Sequence, residues 1–211
     1  MKTWLTAALL ALASTPLLAA PLTEYQSRWA EIKYQLEGSR QEKEFEALND
    51  DIHRELIQQP DDARYLIWSA IIGASYAGAR GGLGALKYVK EARSELEQAL
   101  KLDAGALDGS AYTSLGSLYY QVPGWPIAFG NDKKAEELLR KALAINPDGI
   151  DPNYFYADLL VKQKRYDEAV KYLQNAEHAP DRPGRSLADR GRREEVRQLL
   201  EKTRLELGDA R

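Results

Sequence analysis

The sequence predicts an all-α protein in which pairs of helices repeat along the chain, and three observations support this. Small and aromatic residues recur at matching positions, and Ala135 and Ala169 are 34 residues apart, a spacing typical of helical-hairpin repeats. Apolar residues follow helical spacing elsewhere, whereas the alternation typical of strands is nearly absent. Turn-forming residues separate the apolar runs, as in residues 146–149.

Length, composition and charge are those of an ordinary folded domain. The chain has 211 residues, of which 44% are hydrophobic and 29% are charged, and its net charge is −3. This acidic balance argues against bulk nucleic-acid binding, which needs a strongly basic surface. The chain contains no cysteine, so it forms no disulfide and carries no lipid attached to a cysteine.

Residues 1–20 have the layout of a secretory signal peptide. Lys2 precedes an apolar run from Trp4 to Ala13, and small residues lead to a cleavage site expected after Ala20. The run is short for a membrane span, which needs roughly 20 residues. We therefore expect export to the periplasm, with an uncleaved membrane anchor as the alternative.

The rest of the sequence divides into three helical parts. Residues 21–62 are expected to form an N-terminal helical pair, either a true repeat or a helical cap. Residues 63–179 are expected to form repeated hairpins, and residues 180–211 a capping helix and tail. The glycine-rich segment 78–84 is expected to be a loop. Helices from position 63 onward are expected at about 63–77, 86–102, 110–120, 132–145, 152–164, 166–176 and 187–207.

Close packing between helices explains which residues recur. Gly116 and Ala135 are expected where the two helices of one unit cross, because only small residues fit there. Pro147 is expected to end the second helix. This pattern resembles the tetratricopeptide repeat family over residues 63–179. The resemblance implies a superhelix of helical hairpins that binds partners on its concave face.

Two insertions depart from the simple family pattern. Tyr76 and Ala92 are 16 residues apart, as are Tyr119 and Ala135, so each unit carries a longer connection between its helices. These insertions are similar to those of the exported T component family associated with TRAP transporters. That resemblance implies an accessory transporter subunit, although this chain lacks the cysteine that often anchors such proteins to a lipid.

No residue pattern in the sequence indicates catalysis, a metal or a cofactor. His53 and His178 are far apart, and each is expected to be solvated. Asp148 and Asp151 are close in sequence, but turn and helix-cap roles explain them. The sequence contains no nucleophile elbow, no complete phosphate-loop motif and no paired-histidine metal motif. We therefore expect a protein that is not an enzyme and needs no cofactor.

The second insertion, residues 119–131, is the strongest candidate binding element. Its aromatic side chains either fold back as a structural plug or line a cleft for an apolar or aromatic ligand. Both interpretations require an ordered loop. With neighbouring positions on the predicted concave face, the candidate binding residues are Tyr120, Trp125, Phe129, Tyr154 and Asp158.

The family resemblance also implies which residues face the concave surface. These are Ile67, Ala70, Ala74, Ala77, Ser110, Thr113, Ser117, Tyr120, Asp151, Tyr154, Asp158 and Val161. The set lacks the lysine and asparagine residues with which some family members hold a peptide carboxylate. The arginine-rich stretch 182–197 is interleaved with acidic residues and is expected to be a solvated face of the capping helix. Docking of an acidic partner or a lipid headgroup is the alternative for this stretch.

These features predict a non-catalytic periplasmic scaffold that binds another protein or a peptide through its concave groove and inserted loops. The alternative is a small-molecule-binding accessory subunit of a transporter. Such a subunit would hold an apolar or aromatic solute near Tyr120, Trp125, Phe129 and Tyr154. Neither hypothesis involves nucleic acid, or stable membrane insertion after signal cleavage.

Overall fold

The computed structural model describes residues 21–209, which form nine α-helices and no strand. The helices are α1 Leu22–Gln35, α2 Gly38–Gln58, α3 Ala63–Arg80, α4 Leu86–Leu102, α5 Ala106–Gln121, α6 Asp132–Ile145, α7 Ile150–Lys162, α8 Tyr166–Glu177 and α9 Ser186–Asp209. None of these helices combines the length and hydrophobicity that a bilayer crossing requires. The all-α prediction is confirmed, whereas the expected signal peptide, residues 1–20, lies outside the described residues.

The helices form two layers. Each helix packs on the next one in the chain, and the odd-numbered helices also pack on one another in the order α1, α3, α5, α7 and α9. The backbones of the even-numbered helices approach only elements that adjoin them in sequence, so these helices form the outer layer. This is the superhelix of helical hairpins that the sequence predicts.

Small residues allow the paired helices to approach, as the repeat pattern predicts. A Cβ atom built on Gly116 of α5 would lie 2.7 Å from Leu139 Cγ of α6 and 3.3 Å from the backbone oxygen of Ala135. Ala135 and Leu139 are fully buried, so neither can move aside without disturbing the core. The crossing of α5 and α6 therefore requires glycine at position 116.

The first inserted loop is shorter than the sequence predicts. The helix α3 continues through Gly78 to Arg80, so residues 78–80 are helical and not part of a loop. One glycine weakens a helix by about 1 kcal/mol, which the packing of a largely buried helix can offset. The helix ends at Gly81, and both Gly81 and Gly82 have φ in the left-handed region that favours glycine, +67° and +65°.

The remaining boundaries agree closely with the sequence prediction. The helices α4 and α6 have the expected bounds, and α7, α8 and α9 differ from theirs by at most two residues. The exception is α5, which begins at Ala106 instead of Ser110. Its residues 107–109 have positive φ, so the regular part of α5 begins at the predicted position. The close agreement arises because turn and capping residues mark most of the helix ends.

The superhelix closes on itself, because α9 packs against α1. A Cβ atom built on Gly191 of α9 would lie only 2.3 Å from Tyr34 Cδ1 of α1. Ala188 of α9 is buried in an apolar cluster that includes residues of α1. Lys33 Nζ lies 3.6 Å from Glu195 Oε1 across the same contact. The last helix therefore joins the first helix and does more than cap the array.

His53 is not the solvated residue that the sequence predicts. Its Nε2 lies 3.3 Å from Glu95 Oε1 of α4, and its Nδ1 lies 2.7 Å from the backbone oxygen of Asn49. The hydrogen bond to Glu95 raises the pKa of His53 to about 9, although burial opposes the shift. His178, in contrast, is exposed as predicted.

We expect the His53–Glu95 pair to make stability depend on pH. Because the folded-state pKa of His53 is raised, the pair stabilises fully below about pH 6.5 and is lost as pH rises through 9. The side chain of His53 is 39% exposed, so solvent screening limits the effect to about 1 kcal/mol. In urea unfolding, the free energy of unfolding of the wild-type protein should fall as pH rises across this range. The fall should be smaller in His53→Gln and the same as wild type in the exposed control His178→Gln. An unchanged decline in His53→Gln contradicts the prediction.

Candidate functional site

The closed inner layer surrounds a central cavity of about 850 Å³. All five inner helices, or the loops that enter them, contribute to its lining. The volume falls within the range of about 300–1,000 Å³ that is typical of small-molecule sites. The packing of α9 on α1 therefore completes a ring of inner helices around the concave surface that the sequence predicts as a groove, and part of the cavity remains open to solvent.

Some of the residues predicted to face the concave surface do line the cavity, and others do not. The predicted concave residues that line the cavity are Ala70, Ala74, Ser110, Thr113, Ser117, Asp151 and Tyr154. The other predicted concave residues, which lie outside the lining, are Ile67, Ala77, Tyr120, Asp158 and Val161. These five are buried or half-buried, so contacts with neighbouring parts of the protein cover them.

Tyr120 and Asp158 bind each other and do not face the cavity. The Tyr120 hydroxyl donates to Asp158 Oδ2 at 2.6 Å, and Tyr120 is buried. Burial, and then the negative charge of Asp158, raises the pKa of Tyr120 well above its ordinary value. Lys162 Nζ donates to the backbone oxygen of Tyr120 at 2.8 Å. These contacts join α5 to α7 and give both side chains a structural role.

The connection between α5 and α6 separates Trp125 from Phe129. The Phe129 ring packs edge-on against Tyr119, with ring centroids 5.4 Å apart, and the Arg93 guanidinium carbon lies 5.0 Å from the Phe129 centroid. Trp125 is instead 90% exposed. Phe129 therefore folds back as the plug interpretation expects, whereas Trp125 neither plugs the superhelix nor lines the cavity.

Backbone contacts hold this connection in an ordered shape. The N–H of Asn131 donates to Tyr119 O at 2.7 Å, and the N–H of Gly130 donates to Pro123 O at 2.9 Å. A Cβ atom built on Gly130 would lie 2.1 Å from Val122 O, so this crossing of the chain requires glycine. We call residues 122–131 the aromatic loop. The five candidate site residues are thus divided between the α5–α7 contact, the cavity and this loop.

Charged side chains from α7, α9 and the preceding loop form a network beside the cavity. We call it the ion cluster, and its members are Asp151, Arg182, Asp189, Arg192 and Glu195. Asp151 pairs with Arg182 Nη1 at 2.6 Å and with Arg192 Nε at 2.8 Å. Arg182 Nη2 also lies 2.6 Å from Asp189 Oδ1, and Arg192 Nη1 lies 2.5 Å from Glu195 Oε2. Each member therefore has at least one partner of opposite charge.

The pairing outweighs the cost of burying these charges. Burial alone would raise the pKa of Asp151, but Arg192 and Arg182 hold that pKa at about 2. Burial alone would lower the pKa of Arg192, but Asp151 keeps it above its ordinary value. The Arg192 guanidinium carbon also lies 4.4 Å from the Tyr154 ring centroid and 4.6 Å from that of Phe155. Asp151 and Arg192 therefore both stay charged at neutral pH.

The prediction of a solvated arginine-rich face is wrong for Arg182, Arg185 and Arg192, which line the cavity. Only 9% of the Arg192 side chain is exposed. The sequence contained a signal for the burial of Arg192, because this residue continues a stripe of apolar residues at four-residue spacing. That stripe is Ala188, Arg192, Val196 and Leu200, and all four are buried. A charged residue on an apolar face indicates a buried partner, and Asp151, interpreted from sequence as a turn or cap residue, is that partner.

The cavity lining combines guanidinium groups, hydroxyl groups and aromatic rings. This set can donate hydrogen bonds to a polar ligand and cover an apolar body. Within residues 21–209, no group of histidine, cysteine, aspartate and glutamate side chains is arranged to hold a metal ion. The lining residues of the cavity are therefore suited to contact a ligand that has both a polar group and an apolar body.

Comparison with known proteins finds a match to a repeat family over part of the chain. Residues 127–183, which include α6, α7 and α8, match the tetratricopeptide repeat family. No curated protein matches the chain. Similar solved structures include MamA, with 18% identity over 87% of this chain and 92% of that chain at a TM-score of 0.44. A thermophilic TPR protein of Thermus thermophilus has 19% identity over 83% of this chain and 99% of that chain, at a TM-score of 0.41. The pilF protein of Pseudomonas aeruginosa has 17% identity over 90% and 93% of the two chains, at a TM-score of 0.37.

Proposed function

We propose that this protein is a non-catalytic periplasmic scaffold that binds another protein through the aromatic loop. The tetratricopeptide match supports a protein-interaction role, because such repeats form extended binding surfaces. The proposed location rests on the signal-like pattern of residues 1–20. Because α9 packs on α1 and restricts access to the concave surface, we place the partner contact on the aromatic loop instead.

The exposure of Trp125 carries this proposal. Tryptophan is enriched among the residues that dominate protein interfaces, because it buries a large apolar area. Trp125 is 90% exposed, and Ile127 beside it is also exposed. The backbone hydrogen bonds of the aromatic loop hold both residues in place before any partner arrives. An ordered loop loses little conformational freedom on binding, so the apolar contact contributes more of its free energy to affinity.

We expect Trp125→Ala to abolish partner binding without unfolding the protein. Because Trp125 makes little contact with the core, its removal should change the free energy of unfolding by less than about 0.5 kcal/mol. A photo-crosslinking residue in place of Ile127 should join a second, different protein in the cell. The Trp125→Ala substitution in the same chain should then remove the adduct.

A crosslinking residue in place of Ile57, which is 75% exposed on α2, provides the matched control. The same adducts from position 57, an adduct formed only with a second copy of the chain, or no adduct at position 127 would each contradict the proposal.

A second candidate function is a small-molecule-binding accessory subunit, similar to the T component of TRAP transporters. The specific observation in its favour is the central cavity of about 850 Å³. Native mass spectrometry of protein purified without detergent should then detect extra mass that gentle activation removes. A mass equal to that of the chain alone, before and after incubation with candidate solutes, would contradict this function.

A further inference from the structure

We propose that the central cavity binds a small monocarboxylate whose carboxylate group contacts Arg185. The proposal rests on the second candidate function, ligand binding in the cavity. Beyond that function, we specify that the ligand carries one negative charge and that Arg185 recognises this charge.

Arg185 is a cavity residue that lacks a protein partner for its charge. It lines the cavity, and its guanidinium carbon lies 4.8 Å from the Trp68 ring centroid. Its Nε atom is buried and makes no hydrogen bond. Among the described residues, no carboxylate lies within ion-pair distance of Arg185, whereas Arg182 and Arg192 each pair with two. Trp68 therefore supports the guanidinium group from one side, and no anion completes the site.

Of the cations that line the cavity, Arg185 is the one for which the described residues supply no carboxylate partner. The cations are Lys33, Arg182, Arg185 and Arg192, and the carboxylates paired with them are Asp151, Asp189 and Glu195. Asp181 also borders the cavity, but its side chain is largely exposed and pairs with Arg193. Asp108 lines the cavity as well, but it is exposed and lies beyond ion-pair distance of Arg185. Arg185 therefore lacks a carboxylate partner, and the carboxylate of a ligand could provide one.

An unpaired guanidinium group in this position costs free energy that an anion can recover. Burial, and then repulsion from Arg182, lowers the pKa of Arg185, so its charged form is disfavoured without a partner. A carboxylate matches the planar fork of a guanidinium group and can accept two hydrogen bonds from it. A dianion such as phosphate would bring a second negative charge toward Asp151 and Asp189. The site therefore favours a monocarboxylate.

The aromatic lining indicates an apolar body for the same ligand. Trp29 and Trp68 pack edge-on with ring centroids 5.7 Å apart, and both line the cavity near Arg185. Tyr154 and Phe155 line it on the side of α7. A ligand with one carboxylate and an aromatic or aliphatic body would satisfy both features. Benzoate is a suitable probe, and benzamide is its neutral counterpart of similar shape.

Calorimetric titration of the purified protein with benzoate, benzamide and inorganic phosphate tests the inference. We expect benzoate to bind at least about tenfold more tightly than either of the others, because only benzoate supplies a single charge to Arg185. Equal binding of benzoate and benzamide would overturn the assignment to Arg185 while leaving ligand binding in the cavity intact. Tighter binding of phosphate, or no binding of benzoate, would also overturn the inference.

A matched pair of substitutions tests the residue itself. Arg185→Gln should weaken benzoate binding at least about tenfold and leave benzamide binding unchanged. Arg190→Gln removes the same charge from an exposed position on α9 and should change neither. Unchanged benzoate binding in Arg185→Gln contradicts the proposal. If Arg185→Gln does not fold, Arg185→Lys replaces it, and the loss of the planar fork should weaken benzoate binding but not benzamide binding. The crosslinking result at the aromatic loop is independent of these measurements.

Discussion

Replacing Asp151 with alanine should destabilise the protein by about 3 kcal/mol, because it leaves two guanidinium groups short of a partner. Asp151 accepts contacts from both Arg182 and Arg192, and among the described residues it is the carboxylate that links them. Arg192 is nearly inaccessible and would keep only Glu195 as its ionic partner. A buried cation without sufficient pairing is among the few changes that produce a large loss of stability. Urea unfolding measures the loss directly.

The neighbouring Asp148 provides the control for this prediction. It lies in the turn before α7 and is exposed, so Asp148→Ala should change the free energy of unfolding by less than about 0.5 kcal/mol. The effect should also depend on pH. Because pairing depresses the folded-state pKa of Asp151 to about 2, its contribution is present above about pH 4 and lost as pH falls toward 2. The difference between wild type and Asp151→Asn should therefore shrink over that range. Equal stability of Asp151→Ala and Asp148→Ala at pH 7 contradicts the prediction.

The hairpins could be predicted from the sequence because their causes are local. Gly116 and Ala135 mark the crossing of two helices that are neighbours along the chain, and the turn at residues 146–149 marks where one unit ends. Such signals depend on a few residues at fixed spacing. The extension of α3 through Gly78 was missed, since burial of that helix outweighs the weak helical preference of one glycine.

The cavity and the ion cluster could not be predicted because their causes are not local. The contact between Tyr34 and Gly191 joins the two ends of the described chain, and it depends on a small rotation between units that accumulates along the superhelix. Repeat position indicated that Tyr154 faces inward, but it could not show that Tyr120 turns toward Asp158. A pattern in one helix does not reveal which partner a neighbouring helix presents.

The ion cluster extends to the contact between α1 and α9 through a continuous series of ionic contacts. Asp151 of α7 binds Arg192 of α9, Arg192 binds Glu195, and Glu195 approaches Lys33 of α1. These contacts cross the position where the last helix meets the first. The same residues border the central cavity, so the enclosure of the cavity and the charges along its lining depend on one set of side chains.

Gly191→Ala should separate α9 from α1 and lower the free energy of unfolding by about 2 kcal/mol. The new Cβ atom would lie 2.3 Å from Tyr34 Cδ1, and two further ring atoms lie 2.5 Å away. Neither helix can accept that contact without moving, because the Tyr34 ring also packs edge-on against Trp29. Amide hydrogen exchange should accelerate in α1, since this contact holds α1 against the end of the superhelix.

Gly208→Ala is the control for Gly191→Ala. Gly208 lies on the same helix, and a Cβ atom built there meets nothing within 4 Å. Alanine is the better helix former, so Gly208→Ala should leave stability unchanged or raise it by up to about 1 kcal/mol. The same substitution is thus expected to change the free energy of unfolding in opposite directions at the two positions. Gly191 lies against the Tyr34 ring, whereas Gly208 is exposed near the end of α9. If Gly191→Ala also raised stability, α1 and α9 would not be in close contact in solution, and the ring of helices around the cavity would not be closed.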